Sequence, residues 1–393
     1  MLCGVVANHK QSGMNIAFVS SHFFLDHVVP LLNALAAEHR IVLYLADAGE
    51  GSGFYSNSRD WFQDRVEYEH LKELDPRVEV AAVILPELTT KSLGSCRVAW
   101  QMISHIRKNQ FDVCHLEDIF TLFLPLLLIR KMALIVDIHD PIPHTGEPPS
   151  QFQDPRTKIF VRWCRRVIIH SEHQRIAFEA RYDINQHKVS VIHLGVLQSH
   201  TARTTVDVKE DGATVLFFGR ISPYKGLEYL AQAWPSIRQA VPNARLIIAG
   251  GGEPYFDMST LMVDERVEIY HRYVSDAELG RFLRRASVVV LPYLDATQSG
   301  VVLTAYAFNK PVVATNVDGL ANVVEDRAMG LLVPPRNPER LSEAILTLLN
   351  DPDLRGKMSR AIQERVRTTF AWDKIAAETI DSYKKAITPS TKQ

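Results

Sequence analysis

Val215-Leu216-Phe217-Phe218-Gly219-Arg220-Ile221-Ser222-Pro223-Tyr224-Lys225-Gly226 is the stretch from which the rest of the chain can be read. Four apolar residues stop at Gly219. Arg220 and Lys225 follow, with Pro223 and Gly226 around them, and a helical pattern opens at Leu227. This order predicts a buried strand, a tight turn carrying two cations, and a helix N-terminus. Such a turn suits a diphosphate: arginine offers a planar fork of donors, lysine a mobile point charge, and the helix start free N–H groups with a favourable dipole. Taken alone, the same residues read equally well as a surface turn with solvated charges.

The chain has 393 residues, more than one ordinary core accommodates, and suits two domains. Hydrophobic residues make up 46% and charged residues 23%, a globular composition. Lys+Arg 44 against Asp+Glu 45 leaves no charge excess that would call for nucleic acid. Cys3, Cys96, Cys114 and Cys164 lack metal-ligand spacing; Cys114 and Cys164 lie in apolar contexts and read as small buried hydrophobes in a reducing compartment. Met1 to Ala7 is apolar, but Asn8, His9 and Lys10 interrupt it too early for a secretory signal, and Met14, just before the first convincing strand, is a candidate start. Thr121 to Ile129 is strongly apolar but too short to span a bilayer; it reads as a buried helix turn, with a membrane-touching patch as the lesser alternative.

In the first half, apolar runs ending in small polar residues alternate with helical patterns. Asn15–Ser20 is a strand, Val28–His39 a helix and Ile41–Leu45 the next strand, a β-α-β rhythm that predicts doubly wound α/β structure. Ligands in such sheets lie beyond the carboxyl ends of strands, which makes Ser21 and His22 cleft candidates. Strands are also expected at Val78–Leu85, Phe111–Leu116, Ala133–Ile138, Val167–Ile169 and Val189–Leu194, with a helix over Leu93–Lys108. Ile138-His139-Asp140-Pro141-Ile142-Pro143-His144 ends a strand in titratable groups and stiffens the loop with prolines. On residues alone, His139 is a satisfied strand-end histidine and Asp140 a loop cap. A metal site from His139, Asp140 and His144 fits no known ligand spacing. Ser171 fits an N-cap, and His170 a structural role.

In the second half, Ala244–Ala249 runs into Gly250-Gly251-Gly252, where backbone can approach a ligand closely. Leu291 to Thr315 gives a strand ending at Pro292, the loop Thr297-Gln298-Ser299-Gly300-Val301 at a helix start, and a buried strand from Pro311. That loop offers a second set of free N–H groups for a diphosphate. Neither half opens with the glycine spacing of a dinucleotide site, which disfavours a dehydrogenase.

Phe218 to Gly226 and Leu291 to Thr315, with Ile138 to Glu147 in support, resemble the retaining family 4 glycosyltransferases of the GT-B fold. The resemblance runs from the first strand to the last helix. It implies two Rossmann-like doubly wound α/β domains facing across a cleft: residues 1–198 on the acceptor side, a polar linker 199–212, a nucleotide-sugar donor domain 213–370, and a terminal helix within 371–393 crossing back to the first domain. It implies that Gly219, Arg220, Lys225, Gln298, Ser299, Gly300 and Val301 hold the diphosphate. Arg220 and Lys225 then stabilise the leaving group, His139 contacts the transferred sugar and Asp140 stands beside it. Gly251, Tyr273, Val274 and Thr304 are the matching nucleoside candidates, and Ser21 and His22 sit where the family usually has a glycine pair facing sugar or acceptor. The chain departs from most members in lacking a pair of glutamates, with Ala296 and Thr304 at their positions and Asp295 one residue earlier. This resembles a subgroup that has lost the pair, and it leaves the ribose contact to a single hydroxyl.

The expected function is transfer of a sugar from a UDP-sugar, less readily a GDP-sugar, to a saccharide or glycolipid acceptor. No cofactor or metal is expected, and the location implied is cytoplasmic or peripheral at the inner face of the membrane. A non-catalytic nucleotide-sugar or protein-binding homologue, a sugar-nucleotide epimerase and a phosphorylase are the alternatives.

Overall fold

The computed structural model describes residues 13–48, 52–56, 58, 62, 66–86, 93–117, 132–139, 155–197, 208–296 and 299–388. Two sheets organise them. The first contains β1 (Asn15–Ser20), β2 (Arg40–Ala48), β3 (Gly53–Tyr55), β4 (Glu79–Leu85), β5 (Val113–Glu117), β6 (Ala133–Ile138), β7 (Arg166–Ile169) and β8 (Val189–Val191). Its eight strands run in the order β3-β4-β2-β1-β5-β6-β7-β8. The second contains β9 (Thr214–Phe218), β10 (Arg245–Ala249), β11 (Val267–Tyr270), β12 (Val288–Leu291), β13 (Val312–Thr315) and β14 (Gly330–Val333). Its six strands run β11-β10-β9-β12-β13-β14.

The continuous apolar runs follow from burial on both faces. In the second sheet the period of two sorts each strand between two cores. Leu216, Phe218, Ile247, Ala249, Val289 and Leu291 join one core, closed by helices Asp276–Arg285 and Gly300–Ala307 through Phe282, Leu283, Val302 and Tyr306. Val215, Phe217, Leu246, Ile248, Val288 and Val290 join the other, closed by helices Leu227–Ala240 and Pro338–Asn350 through Leu230, Trp234, Leu341 and Ile345. The chain order places β9 centrally, with β10 to one side and β12 to the other, so the strand order reverses at β9. A doubly wound sheet opens its ligand crevice at such a reversal.

Several boundaries differ from the expectation. The first helix spans Leu25–Leu35 rather than Val28–His39, because a short turn, His22–Phe24, already begins to coil the chain. The turn-rich Asp47 to Phe54 segment contributes β3, which pairs antiparallel with β4 at the sheet edge; three residues are too few to show alternation. The last helix, Trp372–Ile387, falls within the expected 371–393. The Trp372 indole Nε1 donates to the Val196 carbonyl at 2.9 Å, and its ring lies against Gly195, where an added Cβ would come within 2.5 Å. Further along, the Tyr383 hydroxyl hydrogen-bonds His115 Nδ1 on β5 at 2.6 Å.

The chain divides into two compact units, Met1–Ile138 with Ile159–Ile168 and Ala376–Gln393, and His139–Lys158 with Ile169–Ile375. Among the described residues no helix is long and apolar enough to cross a membrane. Cys114 and Cys164 are buried free thiols, as expected, and burial pushes the Cys114 thiol up to about 12. Thr121–Ile129 and most of the expected linker lie outside the described residues.

Candidate active site

The turn after β9 is built by its neighbours as much as by its own residues. Gly219 lies at φ 115 and Gly226 at φ 64, both in the region that favours glycine. Gly226 N–H bonds the Pro223 carbonyl and starts helix Leu227–Ala240. A Cβ there would fall 2.0 Å from the Pro292 carbonyl oxygen, so the turn sits directly on the end of β12. The Leu294 N–H reaches the Tyr224 carbonyl at 2.6 Å across the same seam.

This packing brings the two expected halves of a diphosphate cradle together. A Cβ on Gly219 would lie 3.4 Å from Lys225 Nζ and 3.6 Å from Val301 Cγ2. Lys225 is buried, while Arg220 is exposed to solvent. Ser299 caps helix Gly300–Ala307, its side chain accepting from the Val302 N–H. Lys225, Gly219 and the start of that helix therefore meet beyond the carboxyl ends of β9 and β12. Lysine charge and a helix N-terminus at one point would favour an anion. Gln298, like Thr297, lies outside the described residues.

Two of the three glycines serve a different purpose from the one expected. Gly219 N–H bonds the Ala249 carbonyl and Ile221 N–H the Gly251 carbonyl, so the turn runs alongside residues 250–252. A Cβ on Gly250 would lie 2.1 Å from the Gly219 oxygen, and one on Gly252 2.2 Å from the Ile221 oxygen. The close approach is protein to protein. Gly251 is roomier: a Cβ there meets nothing nearer than the Arg272 carbonyl carbon at 3.7 Å. Gly250→Ala should therefore cost about 2 kcal/mol through overpacking, and Gly251→Ala about 0.5 kcal/mol or less. Urea unfolding of the two variants checks this; equal losses would contradict the assignment.

Gly251 lies beside the Tyr273 backbone, 3.8 Å from its nitrogen by the same construction, and the Tyr273 side chain is 81% exposed. Val274 packs against the core edge. Thr304 stands apart from these: it is buried, and its hydroxyl donates to the Gly300 carbonyl one turn back at 2.8 Å. The helix itself uses that proton, so toward a ribose the side chain keeps acceptor capacity alone.

In the first sheet, Ser21 is buried, and His22 packs at a tilt against the Phe23 ring with Nδ1 3.7 Å from Asp47. His139 directly follows β6 and is buried, its ring 4.6 Å from that of His170. His170 Nδ1 bonds the Ile192 carbonyl at 2.8 Å, the structural role expected of it. Ser171 occupies the N-cap position, yet its hydroxyl accepts from Asn322 at 3.0 Å instead of capping the helix. Asp140 and His144 lie outside the described residues.

A buried polar network at the end of β5 was not singled out by sequence reading. His27 Nε2 meets Glu117 at 2.7 Å, and its Nδ1 meets Asp26 at 2.9 Å. Burial alone would lower the His27 pKa, but the Glu117 charge and the bonds from Asp26 and Glu117 outweigh it and raise it to about 10. Glu117 and Asp137 are partners in the β5–β6 ladder, both buried, and with His115 could present ligand atoms within 4.8 Å of one another to a metal ion. Glu117 already carries the His27 imidazolium. The available signal was periodicity: His27 precedes Leu31 by one turn on the buried stripe, and His115 and Glu117 share one face of β5.

Two parallel-sheet domains of this kind define the GT-B class of glycosyltransferases. Sucrose-phosphate synthase from Thermosynechococcus elongatus superposes with a TM-score of 0.72 at 19% identity, covering 95% of this chain and 98% of that one. Anabaena HepE, solved with UDP and glucose, gives 0.70 at 16% identity over 94% and 99%. In sequence, an uncharacterized glycosyltransferase of Methanocaldococcus jannaschii is 26% identical over 82% of this chain and 88% of its own length. A D-inositol 3-phosphate glycosyltransferase from a Nocardioides species is 29% identical over 52% of this chain and 50% of its length. The chain belongs to the group 1 and family 4 glycosyltransferases: the Glycosyltransferase Family 4 profile matches residues 26–197 and the Glycosyl transferases group 1 profile residues 212–351.

Proposed function

We propose that this glycosyltransferase moves a sugar from a UDP-sugar to a saccharide or glycolipid acceptor with retention of anomeric configuration and without a metal. The observation that carries the reading is the meeting of Lys225, Gly219 and the Ser299–Val301 helix start. As the bond from sugar to diphosphate breaks, negative charge grows on the leaving phosphate. Lys225, Arg220 and the helix N–H groups stabilise it there, supplying the positive charge that a metal supplies in other transferases. Gly251 and the Tyr273–Val274 segment are assigned to the nucleoside. His139 is assigned to the sugar, where an imidazole can bond a hydroxyl and tolerate positive charge at the anomeric carbon. Asp140 is assigned beside it, and Ser21 and His22 to the acceptor side. Uridine is favoured because relatives of the same fold were solved with UDP, UDP-glucose or a UDP-sugar analogue.

The test is a panel of UDP- and GDP-sugars offered to the purified protein, reading thermal stabilisation and free nucleoside diphosphate. A UDP-sugar should stabilise the protein and release UDP, and Arg220→Ala should abolish the release. Donor conversion without diphosphate release would make it an epimerase, and binding without turnover under any acceptor would make it a binding protein. His139→Ala should lower kcat more than it lowers UDP affinity; unaltered turnover with comparable UDP binding would remove His139 from the site.

A further inference from the structure

We propose that Tyr293 is a positioning residue: its hydroxyl fixes the Lys225 ammonium against the capped start of helix Gly300–Ala307, setting the two halves of the diphosphate cradle in register. This rests on the reading of Lys225 as the leaving-group cation. Tyr293 lies two residues beyond β12 and is buried. Lys225 Nζ donates to the Tyr293 hydroxyl at 2.7 Å and stands 4.3 Å from the centre of its ring. Ser299, the cap of that helix, accepts from the Val302 N–H, and Lys225 Nζ and Val301 both lie close against Gly219. One phenol oxygen thus holds the lysine of the first turn beside the start of the second.

Tyr293 is itself held rigidly. Thr315 donates to its carbonyl at 2.6 Å, and Tyr224 packs edge-on against its ring at 6.1 Å between centroids. Lysine has a flexible four-carbon stem and three rotatable donors. An ammonium bound to a fixed oxygen and covered on one side by a ring has lost that freedom before any ligand arrives. Preorganisation of this kind raises the rate, because the charge need not reorient as the phosphate becomes more negative. Burial also raises the phenol's own pKa, so the hydroxyl stays neutral and able to accept from Lys225. In sequence Tyr293 looks like one more core aromatic, and its partner lies 68 positions away.

Tyr293→Phe keeps the ring and removes the oxygen. It should lower kcat about tenfold while changing the donor KM less than about threefold, with the thermal midpoint close to wild type. In a Lys225→Met background the same change should have no further effect, because both act through one group. A purely structural tyrosine would show no such coupling. If Tyr293→Phe leaves kcat within about twofold of wild type while Lys225→Met is severely impaired, or if the two losses simply multiply, Tyr293 does not position the lysine. If Lys225→Met itself turns over normally, it is the diphosphate assignment that has failed.

Discussion

Lys225→Ala should lower kcat about 100-fold or more, and Arg220→Ala should do the same if both cations serve the leaving group. Lysine 225 is buried, bonded to Tyr293 and placed beside Gly219 and Val301, where water screens it poorly. A charge so placed acts most strongly on the state with the most negative phosphate, which is the transition state. The loss should therefore fall on kcat more than on donor affinity. Lys225→Met, which keeps most of the stem, separates loss of charge from loss of packing, and a thermal midpoint for each variant shows that it is folded. Turnover unchanged in both Arg220→Ala and Lys225→Ala would refute the site.

His27→Ala should destabilise the protein by about 3–5 kcal/mol at neutral pH, as breaking a buried ion pair from one side does. Glu117, on the central part of the first sheet, would keep a buried carboxylate without its closest cation, and Asp137 is its ladder neighbour. The pH dependence follows from the direction of the shift. Folded His27 holds its proton up to about 10, against 6.5 for an ordinary histidine, so the stabilisation is complete below 6.5 and disappears as the pH rises from there to about 10. Urea unfolding of wild type and His27→Ala across that range should show the gap between them closing toward high pH. A gap that is constant, or that widens with pH, would mean that the ion pair is not its source.

These two sites mark where sequence reading succeeds and where it stops. VLFFGRISPYKG was legible because strand, turn and helix signals are local, and the structure places β9, the turn and helix Leu227–Ala240 where those signals fall. Helix Leu93–Lys108 and strand Ala133–Ile138 were bounded correctly for the same reason. The glycines after β10 were read as a place where backbone approaches a ligand; at Gly250 and Gly252 the approaching group is the chain's own Gly219–Ile221 segment. Tyr293 carried no local sign of its role and His27 only its place on a buried helix stripe, because their partners Lys225 and Glu117 lie 68 and 90 positions away.

The sequence by itself determined where most of the strands and helices fall, and that Gly219, Arg220 and Lys225 share one turn. Those features depend on the period of apolar residues and on what glycine and proline permit over a few positions. Only the tertiary structure decided that Val301 and Lys225 both close on Gly219, that one phenol oxygen holds the lysine, and that an imidazolium balances a buried carboxylate. Crossover connections bring distant segments side by side, and the electrostatics of a buried charge depend on those neighbours rather than on the residues next to it in the chain.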